Sequence, residues 1–410
     1  MIHAPVNDFS AELKTKIDAI KAQNLYRELR RIDSPQGRQI EIDGRKLLNF
    51  SSNDYLGLAG HPLLKEATIK CVERYGCGSG ASRLICGSLA PHHELEEALA
   101  EFKQVEAALS FSSGYAAALG TICAVVGKDD IVVLDKLVHA SIVDAARLSG
   151  AKLRVYGHND LNELEDILRW AARQGTADGK SRRHKLVVTE SVFSMDGDQA
   201  PLRELVALKE KHGAWLMVDE AHATGIIGKN RRGLAEEMQV SDNIDIQMGT
   251  LGKAVGAQGG YICGPKTLIE YLVNRARAFI FSTAPVPAAA AAATAGVELV
   301  QSAEGGTRCR KLWALVNKAT EGLTDAGWPM VTARSAILPL MIGDESLATS
   351  TAVKLRERGV FIPAIRYPTV ARGKARLRMT LTADHSADDL STFLAALASR
   401  ARPMRENDHD

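Results

Sequence analysis

The sequence predicts an α/β protein built on a mostly parallel central sheet, with a smaller α+β domain following it. Three observations predict this. Apolar runs such as DIVVLD (Asp130–Asp135), KLVVTES (Lys185–Ser191) and AWLMVD (Ala214–Asp219) lack polar alternation, as expected of strands covered on both faces. These runs alternate with helical segments, the pattern of parallel strands joined by crossovers. After about Ala284 the pattern changes to long helical segments and then short strands.

The first 45 or so residues are charged and read as a helical arm, assigned to residues 1–48. Residues 49–284 read as the large domain. Its helix from Pro91 to Gln104 places Leu95, Leu99 and Phe102 at helical spacing. Ala107–Ser112 reads as a strand, Tyr115–Val126 as a small-residue helix, Asp130–Asp135 as a strand and Ala140–Leu148 as a helix. Ala151–Tyr156, Lys185–Ser191, Ala214–Asp219 and Ile244–Thr250 read as further strands. Pro201 opens, and Gly213 closes, an amphipathic helix ending at His212. The polar stretch QGTADGKSRRH (Gln174–His184) reads as an exposed loop. Residues 285–403 read as the small domain. It starts with the alanine-rich run from Ala284, too weakly apolar to span a bilayer and so a buried packing helix. Strands at Val360–Ile365 and Arg376–Leu381 and a helix from Ser386 to Arg400 follow, and residues 404–410 read as a disordered tail.

Composition excludes several function classes. A net charge of +2 carries no field suited to nucleic acid or membrane. The six cysteines show no CxxC pair or regular spacing, the usage of a reduced, cytoplasmic protein. The N-terminus has no apolar signal core. His92 and His93 have no partner pattern for a metal and read as residues of a helix start; no metal is expected.

In open parallel sheets, ligands bind beyond the carboxyl ends of the strands. Gly114 and Tyr115 follow one strand here, Glu190 and Ser194 another, Asp219 and His222 a third, and Thr250 and Lys253 a fourth. A glycine–aromatic step opening a helix can offer backbone N–H groups to a phosphate. A buried aspartate can keep a heterocyclic nitrogen protonated, a lysine can form an imine with an aldehyde, and a histidine can cover an aromatic ring. Phosphate, pyridinium and aldehyde together describe pyridoxal 5′-phosphate (PLP).

The sequence resembles the α-oxoamine synthases, enzymes of the PLP-dependent aminotransferase-like fold (fold type I). The segments that carry the resemblance are NFSSNDYLGLAGHP (from Asn49), GSGASRLICGSLAPHHELEEALAEF (from Gly78), FSSGYAA (from Phe111), HASIVDAARLSG (from His139), TESVFSMDGDQAPL (from Thr189), VDEAHATGIIG (from Val218), GTLGKAVGAQGGY (from Gly249), FIFSTAPVP (from Phe279) and RYPTVARGKARLRMTLTADH (from Arg366). By matching motif, the resemblance implies that Lys253 forms the imine, Asp219 partners the pyridine nitrogen, and His222 donates to the ring hydroxyl. His139 would stack on the ring and contact substrate. Gly114, Tyr115, Glu190, Ser194 and Thr250 complete the cofactor shell. Ser282 and Thr283 resemble residues that reach the phosphate of a neighbouring subunit, which implies a homodimer with shared active sites. Arg27, Asn53, Thr369 and Arg378 resemble substrate-side positions.

The last segment is most similar to family members that condense L-alanine with a pimeloyl thioester, giving 8-amino-7-oxononanoate, CO2 and a free thiol on the way to biotin. Tyr367 stands where those members have proline. Sister reactions, glycine with acetyl- or succinyl-CoA and serine with a long acyl thioester, stand as alternatives. A non-catalytic partner subunit is a further one, although it is expected to lack the lysine that this chain keeps. Taken singly, each residue has a blander reading: a lysine among glycines as a solvated loop residue, an aspartate at a strand end as a cap, and His139 as a capping or core histidine. Their occurrence together argues for the cofactor site.

Overall fold

The computed structural model describes residues 8–174, 183–328 and 333–398. Most of the Gln174–His184 loop and the whole 404–410 tail lie outside the described residues. The first described element is a helix, Phe9–Ala22, capped by the Asp8 carboxylate and burying none of its side chains. The expectation of a helical arm fails beyond it. Residues 23–38 have no regular structure, and β1 (Gln39–Ile42) and β2 (Arg45–Asn49) form an antiparallel hairpin. Asp43 and Gly44 turn that hairpin with φ of 51° and 71°, the left-handed pair that such two-residue turns require.

The central sheet has seven strands: β3 (Ala107–Phe111), β4 (Ile131–Asp135), β5 (Lys152–Tyr156), β6 (Lys185–Glu190), β7 (Trp215–Asp219), β8 (Ile246–Thr250) and β9 (Gly260–Gly264). Their order is β3-β9-β8-β7-β6-β4-β5, and only β9 runs antiparallel to its neighbours. Alternate residues of a strand face opposite sides. Val133, Val187, Leu216 and Val218 therefore enter one core, and Val132, Leu134, Leu186, Val188 and Met217 enter the other. Two apolar faces account for the unbroken apolar runs. Helices Gly114–Val125 and Ala140–Leu148 pack together, and the alanine-rich Pro287–Gln301 helix packs on helices Pro62–Tyr75 and Ala90–Lys103. Its buried Ala288, Ala290 and Ala293 let those backbones come close.

Four strands follow in the C-terminal part: β10 (Ile337–Gly343), β11 (Val360–Phe361), β12 (Ala364–Ile365) and β13 (Ala375–Thr380). The single strand expected at Val360–Ile365 divides in two. β11 joins β2 in parallel and β12 joins β13, with Pro363, which has no N–H to donate, between them. β10 and β12 flank β13, which carries Arg376 and Arg378. Among the described residues no helix is long and apolar enough to cross a membrane.

Candidate active site

The parallel register brings the strand ends to one edge of the sheet. Glu190 and Asp219 are direct cross-strand partners, and Asp219 lies opposite Met248 of β8. In a parallel ladder, paired residues point to the same side, so two buried carboxylates stand together. Burial raises the Glu190 carboxyl to about 8, and the charge of Asp219 adds to this. Burial also raises Asp219, against the opposing pull of Lys253. Asp219 Oδ1 accepts from the Ala221 N–H at 2.9 Å. Glu190 Oε2 accepts from the Ser194 N–H at 3.2 Å, while its Oε1 is buried without a partner.

Lys253 lies past the end of β8, and its Nζ is 2.7 Å from His222 Nε2. Burial lowers its amine to about 8, despite the opposing attraction of Asp219 and Glu190. His222 is held well below the ordinary histidine range by burial first, then by the charges of Lys253 and Arg378, so its ring is neutral and carries one N–H. Its other nitrogen, Nδ1, is 2.6 Å from the Tyr55 hydroxyl. Tyr55 also donates to Asn53 Oδ1 (3.3 Å), which accepts from Arg378 Nη1 at 3.0 Å. Arg378 Nε donates to the Ser194 carbonyl. One hydrogen-bonded series thus runs from Lys253 through His222, Tyr55 and Asn53 to Arg378. Sequence reasoning missed Tyr55, though it lies two residues after Asn53 in a quoted motif and is fully buried.

His139 is the N-cap of helix Ala140–Leu148, so the plain capping reading holds for one of its nitrogens. Nδ1 accepts from the Ser141 N–H at 3.3 Å, and burial lowers the ring's basicity. A neutral ring that accepts at Nδ1 carries its proton on Nε2, which is left as a donor. Gly114 opens the helix Gly114–Val125, whose Ser113 cap takes the Ala116 N–H; the N–H groups of Gly114 and Tyr115 precede the helical ladder. The turn lies so close over β9 that a Cβ on Gly260 would sit 2.5 Å from the Ser113 carbonyl oxygen. Thr250 Oγ1 donates to the Gly259 carbonyl (3.0 Å) and lies 3.9 Å from the Cβ position of Gly114. The Tyr115 side chain is half exposed, and its hydroxyl donates to Asp144 Oδ2 at 2.6 Å.

Two groups of expected residues stand apart from this cluster. Arg27 Nη2 donates to Thr369 Oγ1 at 3.0 Å, and both line a cavity of about 570 Å³. Arg30, Arg356 and Arg366 line it too, against the single carboxylate of Glu28. Arg366 donates to the Tyr26 carbonyl, and its Nε is buried without a partner. Ser282 and Thr283 lie beside the 81–82 turn, through the Ser82–Thr283 bridge, and make no hydrogen bond to the Lys253 cluster among the described residues. Exposed Leu84, Ile85 and Phe281 flank them.

Beneath the site, Glu220 is buried and pairs with Lys103 at 2.6 Å; its other oxygen accepts from the Ala235 N–H at 2.9 Å. Lys103 also donates to the Arg232 carbonyl.

Residues 45–397 match the family model for aminotransferase class I and II. The chain is similar to the 8-amino-7-oxononanoate synthase of Geobacter sulfurreducens, 47% identical over 383 residues that cover 93% of this chain and 96% of that protein. It is also similar to the 8-amino-7-oxononanoate synthase of Anaeromyxobacter dehalogenans, 49% identical over 384 residues and 94% of each chain. Among solved structures it resembles a serine palmitoyltransferase from S. paucimobilis with bound PLP–myriocin aldimine, with a TM-score of 0.87 and 30% identity over 94% of this chain and 96% of that one.

Proposed function

This chain belongs to the class I and II aminotransferase family, and from that premise we propose that it is a PLP-dependent acyltransferase. It condenses L-alanine with pimeloyl-CoA or a pimeloyl carrier protein, giving 8-amino-7-oxononanoate, CO2 and the free thiol, in biotin biosynthesis. The names of its curated relatives, at 47% and 49% identity, support this choice over the glycine- and serine-using reactions.

The buried groups fit the cofactor. Asp219 spends one carboxylate oxygen on Ala221 and has the other for a protonated ring nitrogen. The Gly114 and Tyr115 N–H groups and Thr250 suit a phosphate, His222 suits the ring hydroxyl, and the orphaned Glu190 oxygen leaves a further hydrogen-bonding group unspent. When bound, pyridoxal phosphate supplies a cationic ring that accepts the electron pair left at the amino-acid carbon.

The chain's own residues do the rest. Lys253, with its amine at about 8, is partly neutral near neutral pH and takes the proton from the alanine Cα. Arg378, steadied by Asn53 and the Ser194 carbonyl, pairs with the alanine carboxylate. His139 directs its Nε2–H to the thioester carbonyl oxygen. The arginine-lined cavity takes the far carboxylate of the acyl chain, with Arg27, Arg366 and Thr369 as its donors; such a lining favours a dicarboxylic acyl group over acetyl. Ser282 and Thr283 serve the phosphate of the second subunit in a cytoplasmic homodimer, a reading supported by the exposed apolar surface around them.

The observation that carries this reading is the half-buried Lys253 amine beside buried His222, held below its ordinary range by desolvation against the pull of Asp219 and Glu190. The test is thiol release by the PLP-loaded enzyme with alanine, glycine or serine against pimeloyl, acetyl and succinyl thioesters. Turnover is expected with alanine and a pimeloyl donor. Turnover with glycine and a short donor alone overturns the assignment.

A further inference from the structure

The turn formed by residues 191–200 fastens the central sheet to β13. It leaves β6 just after Glu190 and folds back through the Val192–Gln199 bridge. One side holds β13: the Ser194 carbonyl accepts from Arg378 Nε, and the Met195 carbonyl accepts from Arg376 Nη1 at 3.1 Å. Arg376 also pairs with Asp196, and Ser335 Oγ donates to the Gly197 carbonyl at 2.7 Å.

The other side is held by His158, which lies just past the end of β5. Its Nε2 is 2.7 Å from Asp198 Oδ2 on the turn, and its Nδ1 is 3.1 Å from Asp135 Oδ1 at the end of β4. A carboxylate only accepts, so donation from both ring nitrogens requires both protons, and the ring is an imidazolium. Burial alone would lower its pKa, but the hydrogen bonds and charges of Asp135 and Asp198 outweigh burial and push it up to about 10. Among the described residues, the charges that act on it most are those of Asp135 and Asp198. The ring stands edge-on to Phe193 of the turn at 4.3 Å. Asn159 reinforces the contact, with its N–H on Asp135 Oδ2 (2.8 Å) and its amide on the Gln199 carbonyl (3.2 Å).

We infer that Asp135, His158 and Asp198 form a standing ionic clamp that seats the 191–200 turn and, through the Ser194 carbonyl, fixes the Arg378 guanidinium in the pose that receives the amino-acid carboxylate. His158 is a positioning residue; it touches no reacting atom. The inference rests on the reading of Arg378 as the carboxylate's partner.

The test compares H158Q, R378K and the double variant of the PLP-loaded enzyme in steady state. H158Q displaces the guanidinium without removing it, so the alanine KM rises about tenfold while kcat and the thioester KM stay within about twofold. In the R378K background, H158Q adds less than about twofold. D198N, at a turn carboxylate 43% exposed, is expected to repeat the alanine-selective effect and stands in if H158Q does not fold. Equal losses for both substrates, or full additivity with R378K, reduce the cluster to a structural role and overturn the clamp. If R378K alone leaves the alanine KM unchanged, the assignment of Arg378 fails and this inference with it. If R378K is impaired while H158Q and D198N are not, only the clamp fails.

Discussion

Before pyridoxal phosphate is added, Lys253 should have the lowest pH midpoint of any lysine of the chain towards a small acylating reagent. Its pKa is lowered from 10.5 to about 8 by burial. At about pH 7.4 an ordinary lysine is neutral roughly once in a thousand, and one at about 8 roughly once in five, an advantage of about 200-fold in the reactive form. Restricted access lowers the absolute rate, so the informative quantity is the pH midpoint, read by mass mapping of labelled peptides across a pH series. The midpoint should fall near 8. Asp219→Asn removes the largest charge that raises the amine, so it should move the midpoint lower still and speed labelling at neutral pH. A midpoint close to that of exposed lysines, or an upward move in D219N, would refute the reasoning, because burial would then not govern the amine.

Three more outcomes follow from the same geometry. Lys103→Met leaves the buried Glu220 carboxylate without its cation and should cost about 3 to 5 kcal/mol in denaturant unfolding, part of it recovered by adding Glu220→Gln; an unchanged midpoint argues against the pair. His385 is pushed down to about 4, chiefly by burial, with the Thr382 N–H on its Nδ1 and the Asn49 carbonyl opposite its Nε2. The unfolded chain therefore binds a proton that the folded one refuses, so stability falls as pH drops from about 6.5 to 4, by at most about 3 kcal/mol. His385→Gln should flatten that limb, as measured by thermal melting against pH. Tyr55→Phe removes the partner of His222 Nδ1, and loss of this buried bond should lower kcat about tenfold while leaving the melting temperature within a few degrees; an unaltered kcat removes Tyr55 from the site.

Much of the fold was readable because strands covered on both faces must be apolar throughout. Elements that break this rule were not readable. β9 is GYICG, whose flanking glycines imitate a loop, yet Gly260 is where the Ser113 turn presses on the strand. β10 contains Pro339, which an outer strand tolerates and a central one does not. In the candidate site, Lys253, His222, Asp219 and Glu190 could be found because each lies at or just past a strand end. Tyr55 could not, since its partner His222 is 167 positions away and a buried tyrosine looks like core. The clamp at His158 was hidden for the same reason: Asp198 is 40 positions distant and exposed enough to pass for a turn former.

The pairing of β2 with β11, Leu48 opposite Val360, also bears on how the protein is made. A ribosome adding about 5 to 20 residues per second needs roughly 15 to 60 s to cover the 312 residues between those partners. Throughout that interval the nascent hairpin, with Ile40, Ile42 and Leu47 facing its apolar side, presents an open edge to the cell, and chaperones would be expected to bind there first.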